Sequence, residues 1–241
     1  MIFNHYVFSY LRRIVFPQSC LACDKIINNS LFCTDHWKEV EFITDPYCQI
    51  CHLPFEYKVG NGQICASCIT RKVYYKKLVA ICKYNNVISL VISRFKFFDQ
   101  SYLAKKLCPL FYPKLDEFIS KIDIIIPVPL HKNRLRVRKY NQSSLLAKFI
   151  AKRYDIKFIP DLLSRIKEGR NQIGLNKNAR IRNVAGAFIV NDKYLDLIKG
   201  KNILLIDDVV TTGATIDNCS KILAKSKVGD VFVSVIAKRI L

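Results

Sequence analysis

Apolar and polar positions fall into blocks whose period changes along the chain. Near the start, Ile2, Phe3, Tyr6, Val7, Tyr10, Leu11, Ile14 and Val15 recur at helical steps, which predicts an amphipathic helix over residues 1–16 ending at Phe16-Pro17. Its stripe packs on its own protein or, with Arg12 and Arg13 beside it, serves a membrane surface or partner helix. Between residues 17 and 70 no period holds and cysteines dominate. A basic link (Arg71, Lys72, Lys76, Lys77) then opens a segment of short apolar runs that predict strands at Leu78–Tyr84, Asp123–Leu130, Ile156–Ile159, Ala185–Val190, Lys201–Ile206 and Asp230–Ile236. Helical spacing predicts Val87–Phe98, with Leu90, Val91 and Phe95 on one side, Leu103–Ile119 interrupted by Pro109 and Pro113, Ser143–Arg153, and a helix opening near Thr215. Strands joined through helices imply a parallel α/β sheet flanked by helices, over residues 71–241.

Composition adds charge and sulfur. Lys and Arg number 39 against 19 for Asp and Glu, a formal charge of +20. Two readings of that charge stay open: attraction to nucleic acid or another polyanion, weakening with salt, or the Lys, Asn and Ile bias of an AT-rich genome. Ten cysteines occur, seven of them between Cys20 and Cys68. The first residues lack a basic n-region and a small-residue cleavage site, and no apolar run approaches a membrane span, so a cytosolic location is expected. There, metal ligation accounts for clustered cysteines better than disulfides do.

The cysteines form knuckles: Cys20-x2-Cys23, Cys33-x2-His36, Cys48-x2-Cys51 and Cys65-x2-Cys68. Each pair grips one face of a tetrahedral ion, and two pairs close a structural zinc site. Eight ligands suit two Zn²⁺ ions in a small double zinc ribbon over residues 17–70. The intervening nine and thirteen residues suit adjacent pairing, with Cys20, Cys23, Cys33 and His36 on one ion and Cys48, Cys51, Cys65 and Cys68 on the other. Spacing leaves interleaved pairing open. His52 is a competing ligand or a solvated loop residue. Cys82, Cys108 and Cys219 stand singly in apolar patterns and read as small core residues.

The densest chemistry lies in Lys201–Thr215, KNILLIDDVVTTGAT. A buried-strand run ends in Asp207 and Asp208, then Val209, Val210, Thr211, Thr212, Gly213, Ala214 and Thr215 lead into a helix. Backbone N–H groups, the turn Gly213 permits and the helix's positive end make an anion cradle, while paired carboxylates suit ribose hydroxyls and a hard cation such as Mg²⁺. Plain caps at a strand-to-helix turn are the alternative. This string closely resembles the phosphoribosyl pyrophosphate (PRPP) signature of type I phosphoribosyltransferases.

The resemblance widens when the knuckles, a strand reading PVPLH, the basic RLRVRKYNQ stretch and Gln172, Gly174, Leu175, Arg182, Asn183, Val184, Gly186, Ala187 and Phe188 are taken in order. Together they look like ComF-type competence proteins, phosphoribosyltransferase-like proteins implicated in DNA uptake. The likeness implies a type I phosphoribosyltransferase-like domain behind the zinc ribbon. It implies that the loop with His131, Lys132, Arg134, Arg136, Arg138, Lys139, Asn141 and Gln142 faces pyrophosphate, a DNA-facing arm being the other reading. It also implies that Arg165–Arg182, with Gln172, Lys177, Arg180 and Arg182, forms a mobile hood. Two departures stand out: Lys139 where relatives usually carry glycine, and His36 for a customary cysteine. PRPP with Mg²⁺ is the expected ligand, and single-stranded DNA and DNA-uptake proteins are the expected partners. Purine-specific relatives place an acid where Thr211 stands; orotate-type relatives lack it and use a hood cation, here Lys177 or Arg180. The two functional readings are phosphoribosyl transfer to an acceptor and a non-catalytic DNA-binding protein that retains PRPP binding.

Overall fold

The computed structural model describes residues 18–28, 30–57, 60, 62–97, 100–167 and 186–240. The amphipathic stretch expected over 1–16 and the hood positions Gln172, Lys177, Arg180 and Arg182 lie outside them. Five strands, β1 (Lys77–Lys83), β2 (Ile124–Pro127), β3 (Lys157–Phe158), β6 (Ile203–Val210) and β7 (Val231–Lys238), form one sheet in the order β1-β7-β6-β2-β3. Every neighbouring pair is parallel, as the strand–helix alternation requires. A second, antiparallel pair, β4 (Leu163–Arg165) and β5 (Phe188–Val190), stands apart.

The helices are α1 (Thr34–Glu39), α2 (Ala66–Thr70), α3 (Asn86–Phe97), α4 (Leu103–Leu107), α5 (Tyr112–Leu115), α6 (Lys132–Arg138), α7 (Gln142–Tyr154), α8 (Leu195–Ile198) and α9 (Ala214–Lys225). The sheet is buried on both faces, which is why its strands read as continuous apolar runs. One face sets Ile81, Ile125, Leu204, Ile206 and Phe232 against Phe95 of α3 and Leu146 and Ile150 of α7. The other sets Leu78, Ile124, Ile203, Leu205 and Val233 against Ile216, Cys219 and Leu223 of α9. Cys82, Cys108 and Cys219 are buried core residues, as their patterns indicated. Among the described residues no helix is long and apolar enough to cross a membrane.

Two expectations need correction. The stretch His131–Gln142 is not a loop: Lys132–Arg138 is helical, because His131 Nδ1 accepts from the Asn133 N–H as an N-cap and Lys139 ends the helix in the left-handed region, φ 63°. That torsion explains why glycine is at home at residue 139. The acid-bearing strand does not stop at Ile206 but runs to Val210, pairing Asp207 with Val235 and Val209 with Ala237, so the carboxylates sit within its last turns of pleat. The interruptions expected at Pro109 and Pro113 are present: Leu103–Ile119 divides into α4, a 3-10 turn at Cys108–Leu110 containing Pro109, and α5 with Pro113 in its first turn.

The cysteine-rich segment docks on the outer edge of β1. Ile43 N–H donates to Ile81 C=O at 3.0 Å, Lys83 N–H to Glu41 C=O at 2.8 Å and Leu78 N–H to Ile50 C=O at 2.7 Å. Phe42 bridges Cys82 in antiparallel sense. Ile43 joins one apolar core, while Cys20, Leu21 and Phe32 join the other.

Candidate functional site

The knuckles gather into two ligand sets, and adjacent pairing is the arrangement adopted. Cys20, Cys23, Cys33 and His36 form one set, Cys48, Cys51, Cys65 and Cys68 the other, each with ligand atoms within 4.8 Å of one another. A tetrahedral zinc with Zn–S of about 2.3 Å places its sulfurs nearly 4 Å apart. Cys23 and Cys33 sulfurs are 3.9 Å apart, Cys51 and Cys65 sulfurs 3.7 Å, and Cys33 Sγ lies 3.2 Å from His36 Nδ1. Backbone N–H groups stabilise thiolate ligands: Ala22 donates to Cys20 Sγ at 3.5 Å and Cys65 to Cys48 Sγ at 3.3 Å. The donor sets thus fit two structural zinc ions, with His36 in the place of a fourth cysteine.

His52 belongs to neither set, and the expectation of a solvated loop histidine fails. The residue is 1% exposed, its ring lies 3.9 Å from that of Tyr47, and Nδ1 accepts from the Ala80 N–H at 3.3 Å. Burial pulls its pKa down to about 3, so the ring is neutral.

At the carboxyl end of the central strand β6, Asp207 Oδ1 accepts from Ser143 Oγ at 2.8 Å and from the Asp208 N–H at 2.9 Å. Burial, then the neighbouring Asp208 charge, pushes the Asp207 carboxyl up to about 7. Asp208 Oδ2 is 2.9 Å from Lys96 Nζ at the end of α3. One carboxylate is thus ion-paired and the other accepts a hydroxyl.

Beyond Val210 the chain bends through Thr211 and Thr212, and Gly213 adopts φ 81° as the N-cap of α9. Thr212 Oγ1 accepts from the Ala214 N–H at 3.5 Å. Thr211, Thr212 and Thr215 are partly exposed, whereas Val210 and Ala214 are buried, so the hydroxyls and the helix's first N–H groups remain on the accessible side.

The basic residues divide. Arg138 lies over the Phe97 ring at 4.9 Å and donates to Gln142 Oε1 at 3.4 Å; its burial lowers the guanidinium pKa, opposed by Asp208 and Asp207. Arg165, at the end of β4, is 8% exposed, donates through Nε to Lys167 C=O at 3.2 Å and has a buried Nη2 with no hydrogen-bond partner among the described residues. Arg134 and Asp207 both act electrostatically on it. The structure thus brings Arg134, Arg138 and Arg165 to the acidic end of the sheet. Lys132, Arg136 and Lys139 are exposed. Asn141 and Gln142 are structural: Asn141 caps α7 through the Ser143 N–H at 3.1 Å, and the Gln142 amide, 1% exposed, donates to Phe95 C=O at 3.3 Å. His131 bridges Arg165. Sequence reasoning missed Lys96, Ser143 and the ion pair of Arg71 with Asp217 at 2.9 Å, because each gains its partner only through the fold.

Comparison with known proteins adds names to this geometry. The double zinc ribbon domain family matches residues 11–69. Competence protein F of Haemophilus influenzae is 31% identical over 222 residues, spanning 89% of this chain and 94% of that protein. Competence protein ComFC of Streptococcus pneumoniae is 28% identical, spanning 85% and 86%, and the DNA utilization protein YhgH of Escherichia coli O157:H7 is 28% identical, spanning 77% and 81%. Among solved structures, adenine phosphoribosyltransferase from Saccharomyces cerevisiae overlays at a TM-score of 0.37 with 16% identity, over 60% of this chain and 73% of that one, a likeness too distant to carry weight.

Proposed function

Because this chain belongs to the ComF-type family of competence proteins, we propose that it binds PRPP at the carboxyl end of β6 and acts in DNA uptake or use. One observation carries the reading: an acid pair at the end of a central parallel strand, followed at once by a left-handed glycine and a helix N-terminus. Open α/β sheets take ligands at that end, and a ligand with vicinal hydroxyls next to a phosphate matches acids next to N–H donors. In this reading Asp207 and Asp208 accept from the ribose hydroxyls, held by Ser143 and Lys96. The N–H groups and hydroxyls of Thr211–Thr215 take the 5-phosphate, with Val209 and Val210 as the rigid lead-in. Arg134, Arg138 and Arg165 suit pyrophosphate, since guanidinium forks match its oxygens. Magnesium, if it enters, travels with the pyrophosphate oxygens rather than on the acid pair.

Thr211 favours a second reading, a DNA-handling protein that binds PRPP without purine chemistry. A threonine lacks the acidity for general acid–base catalysis, which contributes about a hundredfold to ten-thousandfold in rate. The relatives are named for competence and DNA utilization, and the exposed Lys132 and Arg136 of α6 and Lys139 at its end, with Tyr57 at 77% exposed, suit a basic and aromatic surface for single-stranded DNA. Titration with PRPP, with and without Mg²⁺, tests binding; a pyrophosphate-release screen over purines and nucleic acids separates the two readings. We expect binding with negligible turnover on adenine, hypoxanthine or guanine, and gain of purine activity by Thr211→Asp. Unaltered affinity in Asp207→Asn and Asp208→Asn would place the ligand elsewhere.

A further inference from the structure

We infer that Arg71 is a positioning residue through which zinc in the second ribbon sets the phosphate affinity of the Gly213 turn; the inference rests on the PRPP reading above. Arg71 follows the knuckle Cys65–Cys68 by three residues and caps the end of α2. Its Nη1 donates to Asp217 Oδ2 at 2.9 Å and its Nη2 to the Tyr75 hydroxyl at 3.3 Å. Tyr75 is 6% exposed, which anchors the guanidinium against the sheet. Asp217 stands in the first turn of α9, its N–H donating to Gly213 C=O at 2.9 Å. The pair flanks the cradle: a Cβ placed on Gly213 would lie 3.7 Å from Asp217 Oδ2 and 3.9 Å from Arg71 Nη1. Among the described residues Arg71 Nε and Asp217 Oδ1 are both buried without a hydrogen-bond partner, so each depends on the other for charge compensation.

The consequence is a question of sign. A carboxylate beside a phosphate-binding helix start repels the ligand; compensated by Arg71, it does not. Arg71 keeps its place because α2 is short and is folded by the metal it helps to ligate through Cys65 and Cys68. Loss of that zinc frees the guanidinium and leaves Asp217 uncompensated at the cradle. Linkage is reciprocal, so PRPP must tighten zinc at the second site by the same factor by which zinc tightens PRPP, about 5- to 150-fold for ordinary couplings.

The test uses full-length, zinc-loaded protein and its Arg71→Met, Asp217→Asn and doubly substituted forms. PRPP affinity is read by calorimetric titration, and zinc transfer to a chromogenic chelator is followed with and without PRPP. The expected result is that PRPP slows the release of one zinc equivalent, while the zinc beside the exposed Cys23 serves as internal control. Arg71→Met should weaken PRPP binding about tenfold or more and abolish that protection, and adding Asp217→Asn should restore most of the affinity. A merely structural Arg71 would give no such rescue. If Arg71→Met fails to fold, Asp217→Asn alone should keep PRPP affinity within about threefold yet lose the protection. Wild-type protein that binds PRPP with zinc release unaffected overturns the coupling alone; wild-type protein that binds neither PRPP nor pyrophosphate overturns the underlying reading and the coupling with it.

Discussion

The left-handed torsion at Gly213 makes a prediction whose size follows from one angle. With φ at 81°, an L-residue there sits in a region that costs about 1–2 kcal/mol. Crowding adds little, because a new Cβ would make only ordinary contacts at 3.7 and 3.9 Å. Gly213→Ala must therefore express the strain in one of two ways. If the turn holds, the strain lowers stability; at about 2–4 °C per kcal/mol for a chain of this size, melting falls by about 2–8 °C while PRPP affinity survives. If the unliganded turn relaxes to negative φ, stability is partly recovered, and the ligand must restore the torsion at the same 1–2 kcal/mol, weakening binding about 5- to 30-fold. Melting and titration of one preparation should give two losses that sum to that strain. Gly213→Val, β-branched, should lose more, and Gly213→Asn less, since asparagine tolerates this region. Gly200→Ala is the control: its φ is 69° with nothing within 4 Å of a new Cβ, so it should cost stability and leave affinity alone. A Gly213→Ala protein that melts and binds as wild type would refute the reasoning.

Elemental analysis should find about two zincs per chain, and Cys48→Ser should unfold the second ribbon, because metal affinity there is folding free energy; protein purified without chelators and free of zinc would contradict this. Asp207, raised to about 7 in the folded protein, holds its proton where the unfolded carboxyl has lost it, so its contribution to stability is present below about pH 4 and lost as pH rises through 7. Ribose hydroxyls bind the ionised form, so PRPP affinity should increase across the same upper limb beyond the titration of the ligand's own phosphates; identical pH profiles for wild type and Asp207→Asn would exclude the assignment. Single-stranded DNA binding should weaken with salt and show little sequence preference, and salt-insensitive or absent binding at low ionic strength would leave the charge as compositional bias.

What the sequence discloses here is what its chemistry packs locally. Knuckle spacing announces zinc because two ligands within four residues must share an ion, and the acid-to-threonine string announces its turn because one glycine falls where the strand gives way to a helix. Partnerships across the chain leave no such trace. Lys96 ends an apolar helix and reads as a solvated tip, yet the sheet order carries α3 to Asp208. His52 looks solvated beside Cys51 because nothing local says that β1 will close over it. Tyr75 stands in the sequence beside Tyr74 and close to Lys72, Lys76 and Lys77, yet it is buried and bound to Arg71, whereas Tyr57 is exposed. Strand β4 escaped notice because three residues establish no period, whereas its partner β5 falls inside the predicted run Ala185–Val190. The helical turn of Lys132–Arg138 was masked by its charge, although the residue at 139, where glycine is customary, marks a helix end rather than close backbone approach.

The sheet's geometry explains why the ribbon and the α/β domain share one chain. With β1 outermost, its free N–H and C=O groups would form an open edge, which invites pairing with other chains. Glu41 and Ile43, from the segment between the two ligand sets, and Ile50, from inside the second set, satisfy that edge. Each segment is too short to hold an extended course by its own apolar burial, so zinc bound by the two sets would supply the rigidity that hydrogen bonding to β1 requires. The metal would then act on the sheet from outside: it would fix the segments that cover β1, β1 lies against β7, and β7 against the acid-bearing β6. Reaching β6 from the ribbon by that route crosses two strands. The direct contact of Arg71 with Asp217 crosses none, which is why the ion pair, and not the sheet, is the shorter physical connection between metal and phosphate turn.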